Sequence, residues 1–139
     1  MHASTTTTAT GRTVLLAGRI TGAALLAAMG VIHLVLWLQG YRVVAVIGPG
    51  FMVNAVGGIA LAIAVLLVRA RLLPLVAGLS ALFMAVTLAA LIISLTVGLF
   101  GVNEQLDGQL VPTSLIVEAI GTVVLVALAW YAAQPRTSS

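Results

Sequence analysis

Four residues could do chemistry inside an otherwise apolar sequence: His33, Asn54, Ser94 and Glu118. Histidine is the side chain whose charge changes near neutrality, and a neighbouring carboxylate can hold or pass its proton. Asparagine and serine add oriented hydrogen bonds without charge. One acid beside one base is the minimum for handling a proton or anchoring a cation, but it is not the signature of a catalytic class. Each residue also has a plainer role. Glu118 sits about one turn inside its apolar run, where a helix N-terminus favours negative charge, and it could simply bond His33 or Asn54. His33 could be a satisfied bundle histidine, and Asn54 and Ser94 could be polar glue between helices. A second set, Arg42, Glu104 and Asp107 with Trp37 and Tyr41, lies between the apolar runs. It reads either as an exposed loop pair worth less than ~1 kcal/mol or as a lid over the first set.

The elements that must position these residues follow from composition. Of 139 residues, 62% are hydrophobic and 6% charged, against roughly 25% charged in ordinary soluble domains. So much apolar surface needs lipid as its solvent. The expected fold is all-α, an integral membrane four-helix bundle. It has a mobile polar tail over 1–13, a bundle over 14–133 with spans at about 17–39, 51–68, 74–99 and 114–133, and a short polar tail over 134–139. His2 falls in the first tail and has no expected role. Pro74 suits the first turn of the third span. Measured from the outer ends of these spans, His33, Asn54, Ser94 and Glu118 lie about 3 to 6 residues in, or roughly 5 to 9 Å deep. Four helices thus each place one polar group at nearly the same level. In spans two to four the polar residue shares a stripe with small residues: Asn54 with Gly58 and Ala62, Ser94 with Ala90 and Gly98, and Glu118 with Gly121 and Thr122. That pattern turns it toward protein.

Orientation comes from the arginines, which supply every positive charge beyond histidine because lysine is absent. Arg12, Arg19, Arg69, Arg71 and Arg136 fall on one side of a four-span chain, and Arg42 falls on the other with Glu104 and Asp107. The bias places both termini in the cytoplasm and makes the protein a multi-pass component of a bacterial inner membrane. Trp37 and Tyr41 then belong to the outer aromatic belt, and Trp130 and Tyr131 to the inner one. The lipid bilayer is one partner. Gly18, Gly22, Ala23, Ala27 and Gly30 form small-residue patches on the first span that permit a homo-oligomer or a larger membrane complex.

Much chemistry is excluded. With no cysteine, there are no disulfides, thiolate nucleophiles or zinc-thiolate sites. IGPGF lacks the lysine and the helix-opening hydroxyl of a phosphate loop, so no nucleotide is expected. No HExxH pair or GxSxG elbow occurs, no catalytic residue or metal ligand is assigned, and scattered arginines make no nucleic-acid patch. A haem would need Met29, Met52, Met84 or a second subunit's His33 to complete its axial ligands, and no other cofactor is indicated.

The strings IHLVLWLQGYR, VIGPGFMVNAV, GLFGVNEQL and SLIVEAI touch all four spans. Over most of residues 20–133 the chain resembles a set of small actinobacterial integral membrane proteins. The resemblance implies a four-helix fold and draws attention to His33, Trp37, Arg42, Asn54, Glu104 and Glu118, with no activity attached. A looser similarity to DoxX-type four-span proteins rests on helix count alone. The expected function is non-enzymatic: an accessory, assembly or scaffold subunit whose polar cluster fixes helix register. The alternative is a binding or transport module for a small molecule, lipid, quinone or cation. There Glu118 is the charge or proton site, His33 its partner, Asn54 and Ser94 the orienting groups, and Arg42 an entry charge.

Overall fold

The computed structural model describes residues 3–135, with side chains from residue 9. The readings made on His2 and Arg136 lie outside the described residues. Four helices carry the fold: α1, Ala3–Gln39; α2, Ile47–Leu67; α3, Leu73–Thr96; and α4, Val111–Ala133. Short 3₁₀ turns at Tyr41–Val43 and Ala70–Leu72 precede α2 and α3. Among the described residues the one non-helical pairing is an isolated antiparallel bridge, Leu99 with Val102. All four helices are long and apolar enough to cross a membrane. In hydrocarbon every backbone N–H and C=O must be satisfied within the segment, which favours helix even through Val- and Ile-rich runs. At 1.5 Å per residue, the 21 residues of α2 span ~31 Å, about one hydrocarbon thickness.

The helix ends differ from the sequence reading for local reasons. Residues 3–13 continue α1 instead of forming a separate tail, and Thr13 Oγ1 donates back to the Ala9 carbonyl at 3.1 Å. The second helix starts at Ile47, not residue 51. Pro49 falls in its first turn, where an N–H has no intrahelical acceptor to lose. Gly48 lies so close to the preceding turn that a Cβ there would sit 2.7 Å from the Tyr41 carbonyl. The third helix ends at Thr96, short of residue 99. Gly98 adopts φ +84, and its N–H returns to the Ile93 carbonyl at 3.0 Å. It is therefore a terminator and not part of the Ala90–Ser94 stripe. The fourth helix begins at Val111, with Pro112 in its first turn.

Helix α1 packs along α2 and α4, α3 packs along α4, and α2 and α3 meet only lightly. Small residues set these crossings. A Cβ on Gly30 would lie 2.9 Å from the Ala55 carbonyl, and one on Gly58 would lie 2.8 Å from the Leu26 carbonyl. Gly18 and Gly22 lie against Leu128 and Leu125 of α4, Ala23 is buried, and Ala27 packs against the same core. The patches that permit an oligomer therefore pack the chain's own helices, because close backbone approach is what holds helices together where lipid is as apolar as leucine. Leu26, Met29, Val65, Ala77, Met84 and Leu125 are fully buried, whereas Val53, Val56, Ile63, Leu82, Val86, Ile116 and Val123 face outward. The molecule is a multi-pass membrane protein with an aliphatic surface turned to lipid.

Candidate functional site

Glu118 lies two turns into α4 and is 1% exposed. Its face of the helix is set by Ser114 and Gly121, both buried with it, and Gly121 lets Met84 of α3 approach the backbone. One carboxylate oxygen, Oε1, is 3.9 Å from His33 Nε2, too far for a direct hydrogen bond. The other, Oε2, is buried with no hydrogen-bond partner among the described residues. His33 comes from the last two turns of α1 and is itself buried. Its Nδ1 is 2.9 Å from the Met29 carbonyl. A carbonyl only accepts, so Nδ1 carries the proton and Nε2 is the atom free to exchange one with the carboxyl group.

These groups line a cavity of about 90 Å³ enclosed by all four helices and the connections above them. Asn54 of α2 and Ser94 of α3 line it too, so the four polar residues expected at one depth share one space. Their roles differ in detail. Asn54 Oδ1 accepts from Thr87 Oγ1 at 3.2 Å, a bond that ties α2 to α3. Ser94 Oγ donates to the Val102 carbonyl at 3.0 Å, and its own carbonyl accepts from Glu104 N–H at 3.2 Å. Ser94 therefore fastens the α3–α4 loop over the cavity and does not point free into it. That loop turns at Phe100 and Gly101, both at positive φ, which is the geometry of a type I′ turn.

The mouth is built from Tyr41 and Glu104. Tyr41 turns inward, stacks on Phe51 with ring centroids 4.6 Å apart and planes 8° apart, and donates its hydroxyl to Glu104 Oε1. This bond and the stack hold the Tyr41 ring over the cavity. Burial, then the hydrogen bond and the negative charge of Glu104, push the phenol up to about 12 from its usual 10. Phe51 meets the His33 ring at a 5.0 Å centroid distance. A line of rings thus connects the floor carboxylate, Glu118, with the mouth carboxylate, Glu104.

Comparison of the chain with protein-family models, curated proteins and solved structures found no match.

The cavity has to be judged on its own chemistry. Its volume is well below the ~300–1,000 Å³ of sites for drug-sized ligands, which leaves no room for a haem; Met29 and Met84 are also buried in the apolar core. Among the described residues no three His, Cys, Asp or Glu side chains converge as metal ligands. Three outer-face candidates fall elsewhere. Arg42 and Asp107 are exposed, Trp37 is half-buried, and none of the three lines the cavity. The expected pairing of Arg42 with Glu104 or Asp107 is absent among the described ion pairs, since Glu104 is engaged by Tyr41.

Sequence reasoning passed over Thr87, Ser114 and Phe51. A signal for two of them existed. Ser80, Thr87 and Ser94 recur every seven residues on α3 and are all buried, and Ser114 stands one turn before Glu118; both spacings put side chains on one face. Phe51 gave no signal, being one more apolar residue in an apolar run.

Proposed function

We propose that the protein is a membrane-embedded binding module whose cavity takes up a small molecule, with Glu118 as the anchor and His33 as its proton partner. The observation that supports this most is the Oε2 atom of Glu118, buried against the cavity without a hydrogen-bond partner among the described residues. A carboxylate within a span costs at least ~2.5 kcal/mol on insertion scales, and such residues normally serve a partner or a pathway. A register pin would be satisfied by the helices it aligns. Asn54 with Thr87 meets that description; Glu118 does not. The scaffold or accessory reading therefore explains the close crossings at Gly30 and Gly58 better than it explains the acid.

The charge pattern supports a location and a direction of access. Arg12, Arg19, Arg69 and Arg71 gather at one end, and Arg42, Glu104 and Asp107 at the other. By the positive-inside bias the termini belong in the cytoplasm of a bacterium, an actinobacterium by the sequence resemblance, and the Tyr41–Glu104 mouth opens toward the outer face of the cytoplasmic membrane.

Native mass spectrometry of gently extracted protein tests the reading. Wild type should retain an adduct of low mass that Glu118→Gln loses, with folding checked by circular dichroism. A bare wild-type chain found only in a stoichiometric complex with a larger membrane protein would favour the scaffold reading instead.

A further inference from the structure

The occupant can be narrowed by asking what kind of molecule these walls would stabilise. The cavity is lined by two carboxylates, Glu118 at its floor and Glu104 at its mouth. No arginine among the described residues lines it, and the chain has no lysine. An anion would meet like charge at both ends with no fixed cation to receive it. An uncharged ligand could bond Glu118 in its protonated form, but it would leave Glu104 and the negative ring faces without a charge to meet. A hard inorganic cation demands a shell of six or more oxygen ligands, whereas much of this wall is ring and aliphatic carbon: Phe51, Tyr41, Leu36, Leu91 and Val111. An organic ammonium has a diffuse charge and an apolar skin, and it suits a carboxylate beside aromatic faces.

Building on the binding-module reading, we infer that the cavity is a site for a small organic ammonium cation, held by the Glu118 carboxylate among the His33, Phe51 and Tyr41 rings. The rings form the continuous path described above, at centroid steps of 5.0 and 4.6 Å. All three rings line the cavity between the mouth carboxylate, Glu104, and the floor carboxylate, Glu118. The volume sets the size of the head. About 90 Å³ is room for only a few waters, which suits a compact head of tetramethylammonium size better than a fused ring system. His33 donates Nδ1–H to the Met29 carbonyl, which leaves Nε2 turned toward Glu118, with a lone pair there when the ring is neutral.

Isothermal titration calorimetry on the full chain in detergent micelles tests this with three probes: tetramethylammonium chloride, tert-butanol as an uncharged molecule of similar shape, and sodium chloride. Tetramethylammonium should bind at least roughly tenfold more tightly than either alternative. Glu118→Gln should weaken it by about tenfold or more, since a desolvated charge loses its counter-ion, and Phe51→Leu by roughly 3- to 30-fold, the range of a cation–π contact. The Phe51 variant leaves the acid in place, so it remains informative if Glu118→Gln fails to fold. Equal binding of tert-butanol or sodium, lost in Glu118→Gln, would overturn the ammonium assignment and leave the binding module standing. Tetramethylammonium binding insensitive to both substitutions would overturn it as well. No binding of any probe would overturn the assignment, and the adduct found or missed by native mass spectrometry would then decide the broader reading separately.

Discussion

Tyr41 shows how one side chain can carry both architecture and chemistry. Its hydroxyl bonds Glu104, its ring stacks on Phe51, and its phenol is pushed up to about 12, by burial first and then by the acceptor carboxylate. Because the folded state favours the protonated phenol, its contribution to stability is complete below the ordinary value of ~10 and is lost as pH climbs from there toward 12. In a Tyr131→Phe background the remaining tyrosine should ionise near 12 by ultraviolet absorption, and Glu104→Gln should bring that midpoint down; a midpoint near 10 with Glu104 intact would show that the pair does not form. At this scale the sequence was informative about His33, Asn54, Ser94 and Glu118, because a polar group inside an apolar span is costly enough to stand out. Thr87 and Ser114 stand out far less, since a hydroxyl can turn to the carbonyl one turn back, as Thr87 does toward Phe83 at 3.0 Å, sharing its single proton between that carbonyl and Asn54. Tyr41 and Phe51 were legible as residues but not as a pair, because nothing in their spacing announces a stack across the α1–α2 turn.

Helix α2 is completed by a residue of another helix. Arg19 of α1 donates from one guanidinium nitrogen to the carbonyls of Val65, Leu66 and Val68 at 3.1, 3.0 and 2.9 Å. Val65 and Leu66 are among the last carbonyls of α2 and Val68 is its C-cap residue; such carbonyls have no intrahelical donor and carry the negative end of the helix dipole. Read from sequence, Arg19 is a topology charge; in the fold it is also a cap and joins α1 to α2 at the end opposite the cavity. Arg19→Ala should lower stability by about 1.5–3 kcal/mol, the range for a hydrogen bond to a charged group, seen as a lower unfolding midpoint in detergent. Arg19→Lys should recover part of the loss, because an ammonium can still reach a carbonyl, though without the guanidinium fork. An unchanged midpoint in Arg19→Ala would mean that water or lipid serves those carbonyls equally well. Element boundaries were the least legible feature. IGPGF reads as a loop by its composition, yet Gly48 and Pro49 belong to α2 because the first turn asks for no N–H from proline and the neighbouring backbone leaves no room for a side chain at 48.

Across the whole molecule, the four-helix architecture was readable from hydropathy and length alone, since lipid permits few spanning structures. Which helices pair was not. Small-residue stripes say that a helix packs closely, but not against whom. Here Gly18 and Gly22 serve α4, and Gly30 serves α2, so faces that permitted an oligomer are occupied within one chain. The light meeting of α2 and α3, bridged by Thr87 and Asn54, was equally invisible. The common depth of the polar residues was visible as four separate estimates. Only the packing turns it into a single cavity, with the imidazole and the acid facing each other. That juxtaposition is the central claim, and every binding proposal depends on it. Solid-state NMR dipolar recoupling between the carboxyl carbon of labelled glutamate and Nε2 of labelled histidine, in lipid bilayers, tests it most directly. The account predicts clear recoupling from the His33–Glu118 pair, whose Nε2 and Oε1 atoms are 3.9 Å apart, and its disappearance in Glu118→Gln; the absence of recoupling in wild type would contradict it.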